Sequence, residues 1–201
     1  MTQKTWLITG SGNGLGRNIA EAALRAGENV VAGARRTEEL ASLVAQNGER
    51  VKPVTLEVRD EAAAKAAVQL AVDTFGRLDV LVNNAGYGQF APFEQMSAED
   101  FQAVVDTCFY GVVYTTRAAI PVMREQKSGQ IFQVSSVGGR MAIAGNTPYH
   151  AAKWGRGRFQ RRSGDGGRPV RGQGLHAGAG RHSDQLGVAG RAECAGSAAR
   201  L

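Results

Sequence analysis

Thr5-Trp6-Leu7-Ile8-Thr9-Gly10-Ser11-Gly12-Asn13-Gly14-Leu15-Gly16 decides the fold. The first five residues form a short apolar, partly β-branched run closed by glycines, which reads as a buried strand. Helical spacing follows from Leu15 to Arg25, and Gly27 ends it. Glycines 10, 14 and 16 permit a tight turn and a close approach of backbone to ligand. The helix amino terminus there offers unpaired N–H groups and a partial positive charge to a pyrophosphate. Ser11, Asn13 and Leu15 belong to the same turn and join the candidate dinucleotide site.

Further along, the patterning predicts strands over Asn29–Ala34, Val51–Val58, Asp79–Val82 and Gln130–Ser135. It predicts helices over Glu38–Ala45, Glu61–Thr74 and, longest, Ala98–Met123. Strand and helix alternate with short links, so the fold class is α/β: a doubly wound parallel sheet, the Rossmann fold.

The net charge of +6 does not describe the whole chain. Residues 1–153 carry fifteen basic and fifteen acidic side chains, whereas 154–201 carry nine arginines against three acids. The neutral main body gives no reason to expect nucleic acid or an anionic membrane as partner. No apolar run reaches membrane-spanning length, and the start lacks a secretory pattern. Cys108 and Cys194 do not make a disulfide framework. These features predict a soluble cytoplasmic protein.

The second strand ends in Ala34-Arg35-Arg36. An acid here would accept hydrogen bonds from an adenosine ribose, whereas arginine pairs with a 2′-phosphate, so Arg35, helped by Arg36, favours NADP over NAD. Two solvated arginines before a helix cap at Thr37 are the plainer alternative. Glu57 and Val58, at the end of the third strand, either approach the adenine or simply close the strand.

Three motifs then occur in order: Thr9 to Gly16 as TGxxxGxG, Asn83-Asn84-Ala85-Gly86 as NNAG, and Ser136 followed by Tyr149-x-x-x-Lys153. Over residues 5–155 the chain resembles the short-chain dehydrogenase/reductase family. Tyr149 and Lys153, four apart on a helix, share a face, where an ammonium can make a phenol more acidic. The resemblance implies an NADP- or NAD-dependent oxidoreductase moving a hydride between nicotinamide and a carbonyl or alcohol. Tyr149 would be the proton donor or acceptor, Ser136 would hydrogen-bond the reacting oxygen, and Lys153 would support Tyr149 and hold the nicotinamide ribose. Asn84, Ala85 and Gly86 would line the cofactor cleft. It also implies pairing of copies through two helices, the second of which is cut short here. One departure lies within the motifs: Cys108 stands where the family usually has a catalytic asparagine. A thiol is a weak hydrogen-bond partner in place of an amide, and Cys108 reads as a small buried apolar residue, with a redox role as the alternative.

After Trp154 the alternation ends. Residues 154–201 hold twelve glycines and nine arginines but only seven large apolar residues, too few to offset the entropy of ordering. The expected division is therefore a dinucleotide-binding domain over 1–155 and a disordered or aberrant tail over 156–201. A shifted reading frame accounts for the tail. GC-rich codons permitted for Ala177 to Leu186 give L-E-P-G-G-I-R-T-N-W when read one base later, which contains the family's P-G-x-x-x-T pattern. An Arg/Gly arm that binds RNA or another polyanion is the alternative, carried by Arg156-Gly157-Arg158-Phe159. Two functions of different class follow: a working oxidoreductase, or a truncated product that binds dinucleotide with little chemistry. Loss of the last strands would expose a sheet edge and lower solubility.

Overall fold

The computed structural model describes residues 3–163 and 171–175. Six strands, β1 (Thr5–Thr9), β2 (Asn29–Ala34), β3 (Val51–Thr55), β4 (Val80–Asn83), β5 (Gln130–Val134) and β6 (Arg171–Leu175), form one sheet in the order β3-β2-β1-β4-β5-β6. Every pairing is parallel. The helices are α1 (Gly14–Arg25), α2 (Ala41–Asn47), α3 (Glu61–Phe75), α4 (Ala98–Val105), α5 (Gly111–Glu125) and α6 (Thr147–Ser163).

Adjacent strand residues feed opposite faces, as period-2 geometry requires. Ile8, Val30 and Val82 join the cluster that packs with Ala20, Leu24 and Leu43 of α1 and α2. Leu7, Val31 and Leu81 join the cluster that packs with Val68, Ala71 and Met123 of α3 and α5. The two-sided burial explains why these strands read as near-continuous apolar runs. Asp60 caps α3 by accepting from Ala62 N at 2.7 Å, and Gly76 ends it with φ at 73°.

The doubly wound sheet is as expected; several boundaries differ. The third strand stops at Thr55, and residues 37–40 form a 3₁₀ turn before α2. The long helix is three pieces, α4, a π-helical turn Asp106–Tyr110 and α5. The larger difference lies beyond Trp154. The helix bearing Tyr149 continues to Ser163, and β6 adds to the sheet with Gln130 opposite Arg171 and Val134 opposite Leu175. Helix α6 and β6 thus both reach past residue 155. A nucleated helix gains one backbone bond for each added residue, and arginine and glutamine are good helix formers. Ladder bonds are made by backbone alone, so the β5 edge accepts a segment with no strand pattern. The rest of the expected tail, including Cys194, lies outside the described residues. Among the described residues no helix is long and apolar enough to cross a membrane.

Candidate active site

The sheet order reverses between β1 and β4, and a crevice at the carboxyl ends of strands forms at such a switch point. Thr9 and Asn84 knit its floor. Thr9 Oγ1 accepts from the Asn84 and Ala85 amides at 3.0 and 2.9 Å, while Asn84 Nδ2 donates to the Thr9 and Gly10 carbonyls at 3.0 and 3.1 Å. Gly10 turns with φ at 69°. A Cβ on Gly16 would fall 2.2 Å from the Gly10 carbonyl oxygen, so the turn closes only on glycine.

Above this floor opens a cleft of about 780 Å³. Of the expected cofactor residues, Gly10, Asn13, Gly14, Leu15, Arg35, Arg36, Glu57, Val58, Asn84, Ala85 and Gly86 line it. Tyr149 and Lys153 lie outside that lining, and so do Ser11 and Gly16: Ser11 is buried with its hydroxyl donating to Ile8 O at 2.7 Å, and Gly16 is buried in the closed turn. Both shape the wall from behind. Sequence reasoning missed Glu39, Tyr87 and Thr107 in the lining. For Glu39 a signal existed, since it stands three residues after Arg36 at helical spacing.

Arg35 and Arg36 are both exposed at the rim, but their partners differ. Arg36 is bonded to Glu39, whose carboxylate lies over Gly12. Arg35 enters no ion pair among the described residues. Glu57 accepts from Arg59 Nη2 at 3.0 Å and from the Arg59 amide at 3.1 Å. Burial raises the Glu57 carboxyl, but the Arg59 bonds and charge, joined by Arg35, outweigh it and hold the group below its ordinary value.

Ser136, Tyr149 and Lys153 stand outside the lining of this cleft, and Lys153 adjoins it at Gly86. A Cβ placed on Gly86 would meet Lys153 Nζ at 3.6 Å and Cys108 Sγ at 3.1 Å. Lys153 is 4% exposed; its ammonium donates to Val134 O at 3.1 Å and lies 5.2 Å from the Tyr149 ring centre. Burial, then repulsion from Arg156, brings the Lys153 ammonium down from 10.5 to about 8. Ser136 Oγ accepts from Gly138 N at 3.2 Å, which leaves its own hydrogen to donate elsewhere. Gly138 lets this turn press on the tyrosine, since a Cβ there would meet Tyr149 Cε1 at 3.2 Å.

His150 is a positioning residue that the sequence did not disclose. Its Nδ1 stands 3.0 Å from Gly138 O and its Nε2 accepts from Ile143 N at 3.1 Å, so both ring nitrogens pin the Ser136–Ile143 segment onto α6. Only the Nδ1–H tautomer satisfies both bonds. Cys108 is fully buried beside Val104 and Ala152, with its thiol donating to Tyr87 O at 3.3 Å. Burial pushes this thiol up, against a smaller opposing effect of Lys153.

The short chain dehydrogenase family model matches residues 4–168, beyond the 5–155 marked out by motifs. The chain belongs to the short-chain dehydrogenase family. Oxidoreductase BOA17 of Botryotinia fuckeliana is 50% identical over 157 residues, 78% of this chain and 57% of that protein. Oxidoreductase UcpA of Salmonella typhimurium is 40% identical over 156 residues, 76% of this chain and 59% of that one. This short-chain dehydrogenase chain thus spans less than two thirds of the length of these relatives. A short-chain dehydrogenase from Streptomyces avermitilis superposes with a TM-score of 0.82 at 36% identity, covering 88% of this chain and 65% of its own. One from Burkholderia phymatum, solved in complex with NAD, superposes with a TM-score of 0.83 at 27% identity, covering 88% and 66%.

Proposed function

We propose that this chain binds NADP in the β1–β4 cleft and carries the proton-transfer half of a carbonyl–alcohol interconversion. The observation that carries the reading is the convergence of Tyr149, Lys153 and the Ser136 turn next to Gly86, at one end of a glycine-floored cleft. The residues fit a dinucleotide. The Gly10–Gly16 turn and the α1 amino terminus suit the pyrophosphate, Glu57 and Val58 the adenine side, and Asn84 to Gly86 the nicotinamide side. Arg35, exposed at the rim, suits a 2′-phosphate and supports NADP, with NAD accepted at lower affinity.

When bound, the dinucleotide supplies or accepts the hydride. Tyr149 gives a proton to the carbonyl oxygen in reduction and takes it back in oxidation. Ser136 donates its free hydroxyl hydrogen to the same oxygen, and the Lys153 charge stabilises the negative charge that develops there. Phe90, Met141 and Ile143 are 72%, 62% and 61% exposed on the loops after β4 and β5, and they favour an apolar carbonyl compound. Those loops are tied by Ala91 N donating to Gly145 O at 2.9 Å. A cytoplasmic setting accords with this chemistry.

Cys108 and a buried Arg156 favour a second reading, in which the dinucleotide binds but turnover is weak. The same Arg156 supports the shifted reading frame, because an arginine falls where the helix packs inward. It also argues against a free Arg/Gly arm, as does Phe159, which stacks edge-on to Phe109 with centroids 6.3 Å apart. Sequencing the gene around the codons for Gly155 tests the frame, and an uninterrupted frame in independent isolates would reject it.

The function is tested by NADPH titration together with turnover on a panel of apolar aldehydes and ketones. Tyr149→Phe is expected to cut turnover by about 10²–10⁴-fold while dinucleotide affinity stays within a few-fold. A Tyr149→Phe chain as active as the parent would overturn the assignment.

A further inference from the structure

Arg156 is 1% exposed, on the face of α6 that also carries Ala152 of the apolar Val104–Cys108 cluster. A guanidinium so placed normally has a carboxylate, since desolvating an unpaired charge is expensive. Arg156 has none: among the described residues no ion pair includes it. Its Nη1 has no hydrogen-bond partner. Its Nη2 donates to the Val134 carbonyl oxygen, the same acceptor that holds Lys153 Nζ. Two buried cations therefore share one carbonyl at the end of β5.

The groups around the pair give no relief. The π-helical turn contributes the Cys108 thiol, whose ionisation burial opposes, and α6 contributes the Tyr149 phenol; neither is a carboxylate, and β5 contributes only the Val134 carbonyl. The Val137–Gly139 turn packed on α6 has no ionisable side chain. Burial brings the Arg156 guanidinium down to about 10, the direction expected for an unpaired cation.

We infer that Arg156 is a misplaced cation in an apolar slot behind the site, one that competes with Lys153 for Val134 and repels its ammonium, so that a small apolar residue at 156 frees the lysine. Arg156 acts through Lys153 and is a positioning residue with an adverse effect. The inference rests on the proposed role of Lys153, but its readouts do not require turnover.

The test uses the whole 201-residue chain with Arg156→Val and Arg156→Gln, each with and without Lys153→Met. Urea midpoints are measured from pH 6.5 to 9. Arg156→Val is expected to raise the midpoint at pH 7 by on the order of 1 M, because an unsatisfied buried group is removed. Both neutral variants are expected to move the Lys153-dependent titration upward from about 8 and to tighten NADPH binding. A purely structural role would change the urea midpoint but leave that titration in place. An unchanged or lowered midpoint for Arg156→Val, or an unmoved titration in both variants, overturns the inference. If the titration moves but NADPH neither binds nor turns over, the inference stands and the proposed function falls.

Discussion

Replacing Gly16 with alanine tests the cleft floor most directly. The new methyl would lie 2.2 Å from Gly10 O, 2.9 Å from Gly10 C and 2.4 Å from Asn84 Nδ2. Two of these three atoms are backbone, so no rotamer change relieves the clash, and the turn has to open by about 1 Å. Opening it breaks the Asn84 bonds to Thr9 O and Gly10 O. Two such bonds contribute about 1–3 kcal/mol net, and overpacking adds about 1–3 kcal/mol. The expected loss is about 4 kcal/mol, a large fraction of an ordinary domain's stability. Gly14→Ala is the control: a Cβ there meets nothing within 4 Å, and only the φ of 55° opposes it. That strain costs about 1–2 kcal/mol. Urea unfolding followed by circular dichroism should therefore place Gly16→Ala well below Gly14→Ala, and NADPH titration should show binding lost in Gly16→Ala. Combining Gly16→Ala with Asn84→Ala should destabilise by less than the two single changes added together, because one clash partner is gone. Equal midpoints for the two glycine variants, or strict additivity in the double variant, would refute the close-approach argument.

Two further predictions concern charge. The Lys153 ammonium titrates near 8 in the folded chain against an ordinary 10.5, so between those values the unfolded chain binds more protons than the folded one. Stability should accordingly rise with pH above about 8, by about 1 kcal/mol between pH 7 and 9. The window ends near 9, where the raised Cys108 thiol begins to act in the opposite sense. Urea midpoints at pH 7, 8 and 9 check this, and a Lys153→Met chain with the same slope would sink it. Arg35→Ala should weaken NADPH binding by about 10–100-fold and leave NADH within a few-fold, since a charge-assisted bond to phosphate contributes about 1.5–3 kcal/mol. Parallel losses for both cofactors would remove Arg35 from the 2′-phosphate role.

The alternation of strand and helix, the glycine turn and the Tyr149–Lys153 spacing were legible because each is local. They depend on side-chain period, φ and helix geometry over a few residues. Boundaries were less legible. β3 ends at Thr55 although Leu56 and Val58 stay apolar: Leu56 N still donates to Ala34 O at 2.8 Å, and both side chains then turn into the cluster that packs on α3. The roles of Ser11 and Gly16 also escaped, since a motif records membership of a turn and not which side of it faces the ligand.

What the sequence determined by itself, then, is the order of elements and the motif residues from which a candidate site is built. Tertiary structure decided what those residues face. Asn84 becomes a clamp only because β1 and β4 lie side by side, though 75 residues separate it from Thr9. His150 becomes a staple only when α6 packs on the Ser136 turn. Arg156 reads as one more charge in a basic tail, yet the helix nucleated around Tyr149 carries it inward to the Val134 carbonyl. Helix periodicity fixes which residues share a face; packing alone determines whether that face meets water or the site.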